Sequence, residues 1–448
     1  MERRQKPLRE SKSSTVPFDL YAGPQCEGRR LCIQKFCCSP LRMEFLRGKI
    51  ARRRVLEFIH INKDKDMKAE DHPLEKILKE RIAIIDGAMG TTIRTYGMKE
   101  ADIRGERFKD AKKSLLNNGD LFTLTQPEMI GDIHRRFLEA GADIIETNTF
   151  SGTSISQSEF FVEDPRERGG RKDPEFYSKI IGDPFLEKLA WDINEQSARQ
   201  CREWADRVGT ASSRQRFVAG AIGPLTVSLS NSPDADDPGF RVVTFDQVKA
   251  AYAQQVRALI AGGVDLLLVE TIFDSLNAKA ALVAIREVFD ELGHDGQNKE
   301  LPVMISAAVG RGGETMISAQ TPEAFWNAVR HVKPLSVGLN CSLGPDLMYP
   351  FLEELSEKAD VAVSVYPNAG LPNPLSETGF DLGPQDMARY LSEFADGRLI
   401  NIAGGCCGNT PEHIAAIAKA LEGQPPRKFG AQLAEESSDR ADEIESRV

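Results

Sequence analysis

Three cysteines, several carboxylates and two amides stand at the ends of short apolar runs, and these are the residues of the chain whose types can do chemistry. Cys406 and Cys407 are adjacent in "GGCCGNT" (404–410), and Cys341 closes the run "LSVGLNC" (335–341). Side chains of a regular strand alternate in direction, so neighbouring cysteines share one point only where the backbone leaves strand geometry. Gly404 and Gly405 are expected to permit that departure through conformations costly for other residues. Three thiolates with one position left over describe an open zinc site, whereas a structural site closes with a fourth protein ligand. Two plainer readings compete: cysteines buried as small hydrophobes, and a site closed by His413, which the pattern instead places inside a helix following Thr410.

A thiolate-rich zinc suits a soft substrate, above all another thiol, which loses its proton on the metal and becomes a nucleophile at neutral pH. Where that thiol belongs to an amino acid, its ammonium needs carboxylates and its carboxylate needs donors. Asp86 and Glu270 suit the ammonium, and the backbone turn Asp86-Gly87-Ala88-Met89-Gly90 suits the carboxylate. Helix capping for Asp86 and an ion pair inside the fold for Glu270 are the plainer roles. Glu146, Asn148 and Asn368 end neighbouring runs and join the candidate set.

Such scattered residues need a frame that gathers them. From Ile82 the chain alternates helical stretches with eight runs: "IAIID" (82–86), "DIIETN" (143–148), "FVAGAIGP" (217–224), "DLLLVET" (265–271), "VMISAA" (303–308), "LSVGLNC" (335–341), "VAVSVYPN" (361–368) and "LINIAGG" (399–405). Each is too short for a helix and apolar nearly throughout, as strands buried on both faces are. Eight strands alternating with helices predict a single α/β (β/α)8 TIM-type barrel, because open sheets would leave edges to protect. Helix starts are marked by a Thr125/Glu128 capping box and by Thr321-Pro322 and Thr410-Pro411, while Val248, Tyr252, Val256 and Leu259 recur on one helical face. The polar interruption from Glu159 to Pro184 reads as a solvated surface loop.

At 448 residues and 41% hydrophobic content the chain can bury a sizeable core. Residues 1–66 carry 16 Lys/Arg against 8 Asp/Glu, so the body carries −18 where the whole carries −10. An acidic body argues against nucleic acid as a partner. No run of about 18 apolar residues exists to span a membrane and no secretory leader is evident, so a cytoplasmic location is expected. Residues 1–66 show no sustained periodicity and read as a disordered basic tail or as sequence upstream of a true start at Met67. Cys26, Cys32, Cys37 and Cys38 fit no common zinc knuckle. The expected division is therefore a tail (1–66), a barrel (67–427) and an acidic C-terminal tail (428–448).

The stretches "IDGAMGTTI", "RGERF", "EAGADIIETNTF", "ETIFDSLNAKAA", "GLNCSLGP", "PNAGLPN" and "GGCCGNTPEHI" resemble the homocysteine-binding, zinc-containing barrel module of cobalamin-dependent methionine synthase, over about Ile82 to Arg427. "RGERF", "FDSLNAKAA" and "PNAGLPN" bring the chain nearer to that enzyme than to relatives that use betaine or S-methylmethionine. The resemblance implies zinc on Cys341, Cys406 and Cys407, with Asp86 and Glu270 holding the homocysteine ammonium. In that enzyme the barrel is followed by folate, cobalamin and reactivation modules, which are expected here on another polypeptide. Asp132-Ile133-His134 matches only the start of a cobalamin motif, because Phe137 stands where the motif has glycine. The resemblance thus implies a methyltransferase subunit that offers zinc-bound homocysteine thiolate to methylcobalamin on a separate corrinoid- and folate-binding polypeptide. Two rivals remain: a corrinoid-independent methyltransferase using S-methylmethionine or betaine, and a non-catalytic zinc module that binds homocysteine.

Overall fold

The runs that are apolar on both faces become the strands of an eight-stranded parallel barrel, seen in a computed structural model that describes residues 72–293, 300–376 and 378–432. The strands are β1 (Ala83–Ile84), β2 (Ile144–Glu146), β3 (Phe217–Ile222), β4 (Leu266–Ile272), β5 (Val303–Ala307), β6 (Ser336–Asn340), β7 (Ala362–Tyr366) and β8 (Ile402–Ala403). Neighbours pair continuously from β2 round through β8 to β1. The last seam, β1 to β2, closes through a parallel bridge between Ile85 and Ile144, with Asp143 N–H donating to Ile84 O (2.7 Å) and Asp86 N–H to Ile144 O (3.0 Å). The expected tail of residues 1–66 and most of the acidic C-terminal segment lie outside the described residues.

Alternation of side chains along each strand sorts the core into two shells. Ala83, Ile85, Ile144, Phe217, Leu266, Leu268, Met304 and Ile402 fill the barrel, while Ile84, Ile145, Val218, Leu267, Val269, Val337 and Val363 pack outward under the helices. The helix Pro73–Glu80 precedes β1 and pushes Leu74 and Leu78 into the inner shell, where Phe429 joins them. Phe429 therefore belongs to the body, although the sequence places it in the acidic tail. Arg427 brings it there by donating to carbonyl oxygens of Ser356, Ala359 and Val361, which closes the end of the helix Pro345–Lys358.

The helix face of Val248, Tyr252, Val256 and Leu259 is buried as its spacing predicts. Two expectations need correction. The helix Pro127–Glu139 starts after Gln126, not at a Thr125 capping box: Pro127 fixes the first turn, and the Thr125 hydroxyl is spent on Leu121 O (3.2 Å). The 159–184 interruption is not simply a solvated loop. It contributes the helix Pro174–Ile181, whose Tyr177 and Ile180 are buried, and Gln247 and Gln254 pin that helix to the one after β3 through Pro174 O (2.6 Å) and Ile181 O (3.0 Å). Polar composition hides two apolar residues three apart, which suffice to bury one face of a two-turn helix. No described helix is long and apolar enough to cross a membrane.

Asp143, fully buried, locks the β1–β2 seam from below: Arg81 donates to both its oxygens (2.7 and 2.9 Å), Arg214 pairs with it at 2.6 Å, and Ile84 N–H donates to it at 3.0 Å. Asp143→Ala removes the shared acceptor from two guanidinium groups and one strand N–H. It should cost about 3 kcal/mol of stability, read as a lower urea midpoint with an unchanged m value.

Candidate active site

The C-terminal rim of the barrel gathers the candidate residues from strands far apart in sequence. The Sγ atoms of Cys341, Cys406 and Cys407 lie within 4.8 Å of one another, with Cys341 and Cys407 at 3.9 Å. Thiolates on a tetrahedral zinc at ~2.3 Å stand ~3.8 Å apart, so the trio fits three corners of such a site. Among the described residues it is the one group of three or more His, Cys, Asp or Glu spaced to hold a metal ion. His413 is not part of it: its Nδ1 accepts from Thr410 N–H (3.2 Å) at the start of the helix Pro411–Ala420, and its Nε2 faces Leu382 O (3.1 Å) just before the helix Pro384–Asp396, so both ring nitrogens are already engaged.

Backbone geometry explains how the thiols meet, and it differs from the expected account. Gly404 and Gly405 are not in the left-handed region; they are required because a Cβ would stand 2.4 Å from Ile85 Cγ2 and 2.2 Å from Asn409 Cγ respectively. β8 thus presses against the end of β1 and against its own turn. The left-handed residues are Gly408 (φ 85°) and, on the other side of the site, Cys341 (φ 59°) and Ser342 (φ 53°). Asn409 braces the turn by donating its Nδ2 to Pro367 O and to Cys406 O (both 3.0 Å), while Ala369 N–H donates to Cys407 O (2.8 Å). Hydrogen bonds from the Cys341 and Cys406 thiols, opposed by burial and aided by Arg94, hold the Cys407 thiol well below the usual thiol range.

Beside the thiols lies a floor of three carboxyl groups. Asp86 Oδ2 accepts from Glu146 N–H (3.0 Å), and its Oδ1 is buried with no partner among the protein atoms. Burial, and then the Glu270 carboxyl, raises Asp86 well above its usual range; burial and Asp86 raise Glu146; burial and Glu146 raise Glu270. Three acids that discourage one another's ionisation in a buried floor suit a cation. Asn368 adds a second buried orphan acceptor, its Oδ1. Gly87 lies where the turn after β1 meets Asn409, whose O takes the Ala88 N–H (3.0 Å), so Ala88 is not free to donate to a ligand.

Asn148 does not join this floor. Its Nδ2 donates to Gly119 O (3.0 Å) and Thr123 Oγ1 (3.1 Å), which anchors the loop between the first strand and its outer helix. Sequence reasoning also passed over residues that shape the site. Tyr366 is buried beside the floor, its hydroxyl raised by burial and by Glu270 and Glu146. Asn340 and Ser306 stand in adjacent strands behind Glu270. A buried amide in the apolar run "LSVGLNC" was the available signal for Asn340.

The profile of the homocysteine S-methyltransferase family matches residues 83–421. Among solved structures, the chain is similar to the homocysteine methyltransferase MmuM from Escherichia coli in its metallated form, at 20% identity and a TM-score of 0.54, covering 78% of this chain and 99% of that one. The oxidized form of the same protein matches at 19% identity with the same TM-score and coverage. At these identities the likeness concerns the fold.

Burial and mutual repulsion raise the three floor carboxyls above the ordinary 3.8 (Asp) and 4.5 (Glu) at which the unfolded chain titrates. Their raised values therefore contribute stability at low pH that fades as pH climbs toward the folded values. Glu270→Gln, which cannot ionise, should lose thermal stability less steeply than the wild type as pH rises above the ordinary carboxylate range. Parallel melting profiles would show that the fold does not raise the Glu270 carboxyl.

Proposed function

The chain belongs to the homocysteine S-methyltransferase family, and on that premise we propose that it is a zinc-dependent methyltransferase that activates homocysteine for methyl transfer from methylcobalamin carried by a separate polypeptide. The observation that carries this reading is the juxtaposition of three converging thiols with a floor of three mutually destabilised carboxyls. A thiol at one end and an ammonium at the other are the two functional groups that such a site recognises.

Cys341, Cys406 and Cys407 would hold the zinc, whose Lewis acidity brings the substrate thiol's pKa into the neutral range. Asp86 and Glu270 take the ammonium, with Glu146 beside them. A substrate positive charge beside these groups would favour their ionised forms, any displaced proton passing to solvent. The orphan Oδ1 atoms of Asp86 and Asn368 supply acceptors for ammonium N–H groups. In the turn from Gly87 to Gly90, which opens the helix Met89–Thr95, the N–H groups other than that of Ala88 would meet the substrate carboxylate. With both ends of the amino acid held, the substrate sulfur would face the open rim, where a corrinoid would supply the methyl group as a cation and keep both electrons of its metal–carbon bond, giving methionine.

The rim supports a bulky donor. Phe150 after β2, Leu276 after β4, Met316 after β5, and Leu371 and Leu375 after β7 are all exposed large hydrophobics, and Leu375 is 96% exposed. A small polar donor such as betaine has no use for such a border, whereas a protein-borne corrinoid would cover it.

The zinc assignment predicts that Cys341→Ser, Cys406→Ser and Cys407→Ser each remove or greatly loosen the metal, since a three-thiolate site has no spare ligand; unchanged zinc content in all three variants would refute it. For the donor, the purified chain should convert homocysteine to methionine with methylcobalamin and fail with S-methylmethionine or betaine. Turnover with either of those donors in the absence of any corrinoid would reverse the donor assignment while leaving the homocysteine site intact.

A further inference from the structure

Glu270 sits in an irregular piece of backbone. The pairing of β4 with β5 slips between Val269 and Ile272, and the residue after Glu270, Thr271, has φ 53°. A β-branched side chain in the left-handed region is rare and disfavoured, and a bulge at a strand end is a means of re-aiming a side chain. Something must hold Thr271 there.

The holder is Asn340, fully buried at the end of β6. Its Oδ1 accepts from Thr271 N–H (3.1 Å) and from Ser306 Oγ (2.7 Å). Its Nδ2 donates to Thr271 Oγ1 (2.8 Å) and reaches Glu270 Oε2 at 3.4 Å. One amide thus grips both the N–H and the hydroxyl of the strained residue and touches the carboxyl that precedes it. The same Asn340 leads directly into Cys341 and Ser342, which are left-handed as well, and Cys341 N–H donates to Tyr366 O at 3.3 Å. The backbone that carries one corner of the thiol cluster and the side chain that aims one carboxyl of the floor therefore belong to a single residue.

We propose that Asn340 is a positioning residue that fixes the offset between Glu270 and Cys341, and thereby the fit of a substrate that must reach a thiol corner and an ammonium floor at once. This deepens the functional reading above and rests on it. Asn340 touches neither the metal position nor the substrate. It acts by holding the Glu270–Thr271 peptide in its bulge, with Ser306 fixing which way round the amide sits. Loss of the amide leaves Thr271 free to relax toward an extended conformation, and that relaxation turns Glu270 away from the floor.

The test is homocysteine titration of the zinc-loaded full chain by calorimetry, with metal content measured on the same samples. Asn340→Ala should keep its zinc and bind homocysteine more weakly, on the order of tenfold, as a misaimed charged contact does. Adding Thr271→Gly to that variant should recover part of the loss, because glycine enters the left-handed region without an amide to hold it there. Thr271→Gly in the otherwise native chain should bring no gain. A residue that merely fills space would show losses that add, so additive effects overturn the proposal, as does wild-type affinity in Asn340→Ala. Should Asn340→Ala fail to fold, Thr271→Val tests the contact from the other side: it keeps shape but removes the hydroxyl, and wild-type affinity in it overturns the proposal equally. A wild-type chain that holds zinc yet binds no homocysteine sinks the functional reading beneath, whereas a wild type that binds while Asn340→Ala binds equally sinks the positioning role alone.

Discussion

Three carboxyls and three thiols share one rim, with Asp86 and Glu270 buried and the others half-buried, and like groups packed this closely oppose one another's ionisation until a positive charge reaches them. The raised acidities of Asp86, Glu146 and Glu270 and the unequal sharing of protons among Cys341, Cys406 and Cys407 are two expressions of that constraint. The constraint shows as carboxyls pushed above their ordinary range and a Cys407 thiol held below its own. On the proposed reading, a metal cation at the sulfurs and an ammonium at the carboxyls would relieve it together, and one amino-acid thiol would carry both contacts.

Keeping such a rim in place requires that stability come from elsewhere. The opposite end of the barrel supplies it: Leu74, Leu78 and Phe429 plug the inner shell, and Asp143 with Arg81 and Arg214 ties the seam where β1 and β2 make only an isolated bridge. Burial of apolar side chains and compensated charge at one end offset the cost of uncompensated polar groups at the other. This division between a stabilising face and a reactive face is the usual arrangement of parallel barrels. Here it also explains why the strained residues Thr271, Cys341 and Ser342 cluster at the mouth, where the surrounding ladder can hold them.

Much of this was legible in the chain itself. Eight apolar runs of strand length, each followed by an amphipathic stretch, determined the barrel, because burial on both faces demands uniform apolarity and the alternation leaves no edge strand. Residue type at the run ends marked Asp86, Glu146, Glu270 and the three cysteines as candidates, since carboxyls and thiols at the end of a buried strand have chemistry to do or a high cost to justify. The motifs around them pointed to the family that the profile over residues 83–421 then established.

What the tertiary structure alone decided is direction and distance. Asn148 ends a run like Glu146 does, yet its amide faces outward to Gly119 and Thr123, because a turn after the strand rotates it away from the lumen. Gly404 and Gly405 looked necessary for unusual dihedrals and prove necessary for close approach to Ile85 and Asn409, contacts no local pattern records. Asn340 acts on a strand 70 residues earlier in the chain. Periodicity and residue type are properties of a few consecutive positions and survive in the sequence. The meeting of Cys341 with Cys407, or of Asp86 with Glu270, exists only once the barrel has closed, because closure alone brings strand ends so distant along the chain to one rim.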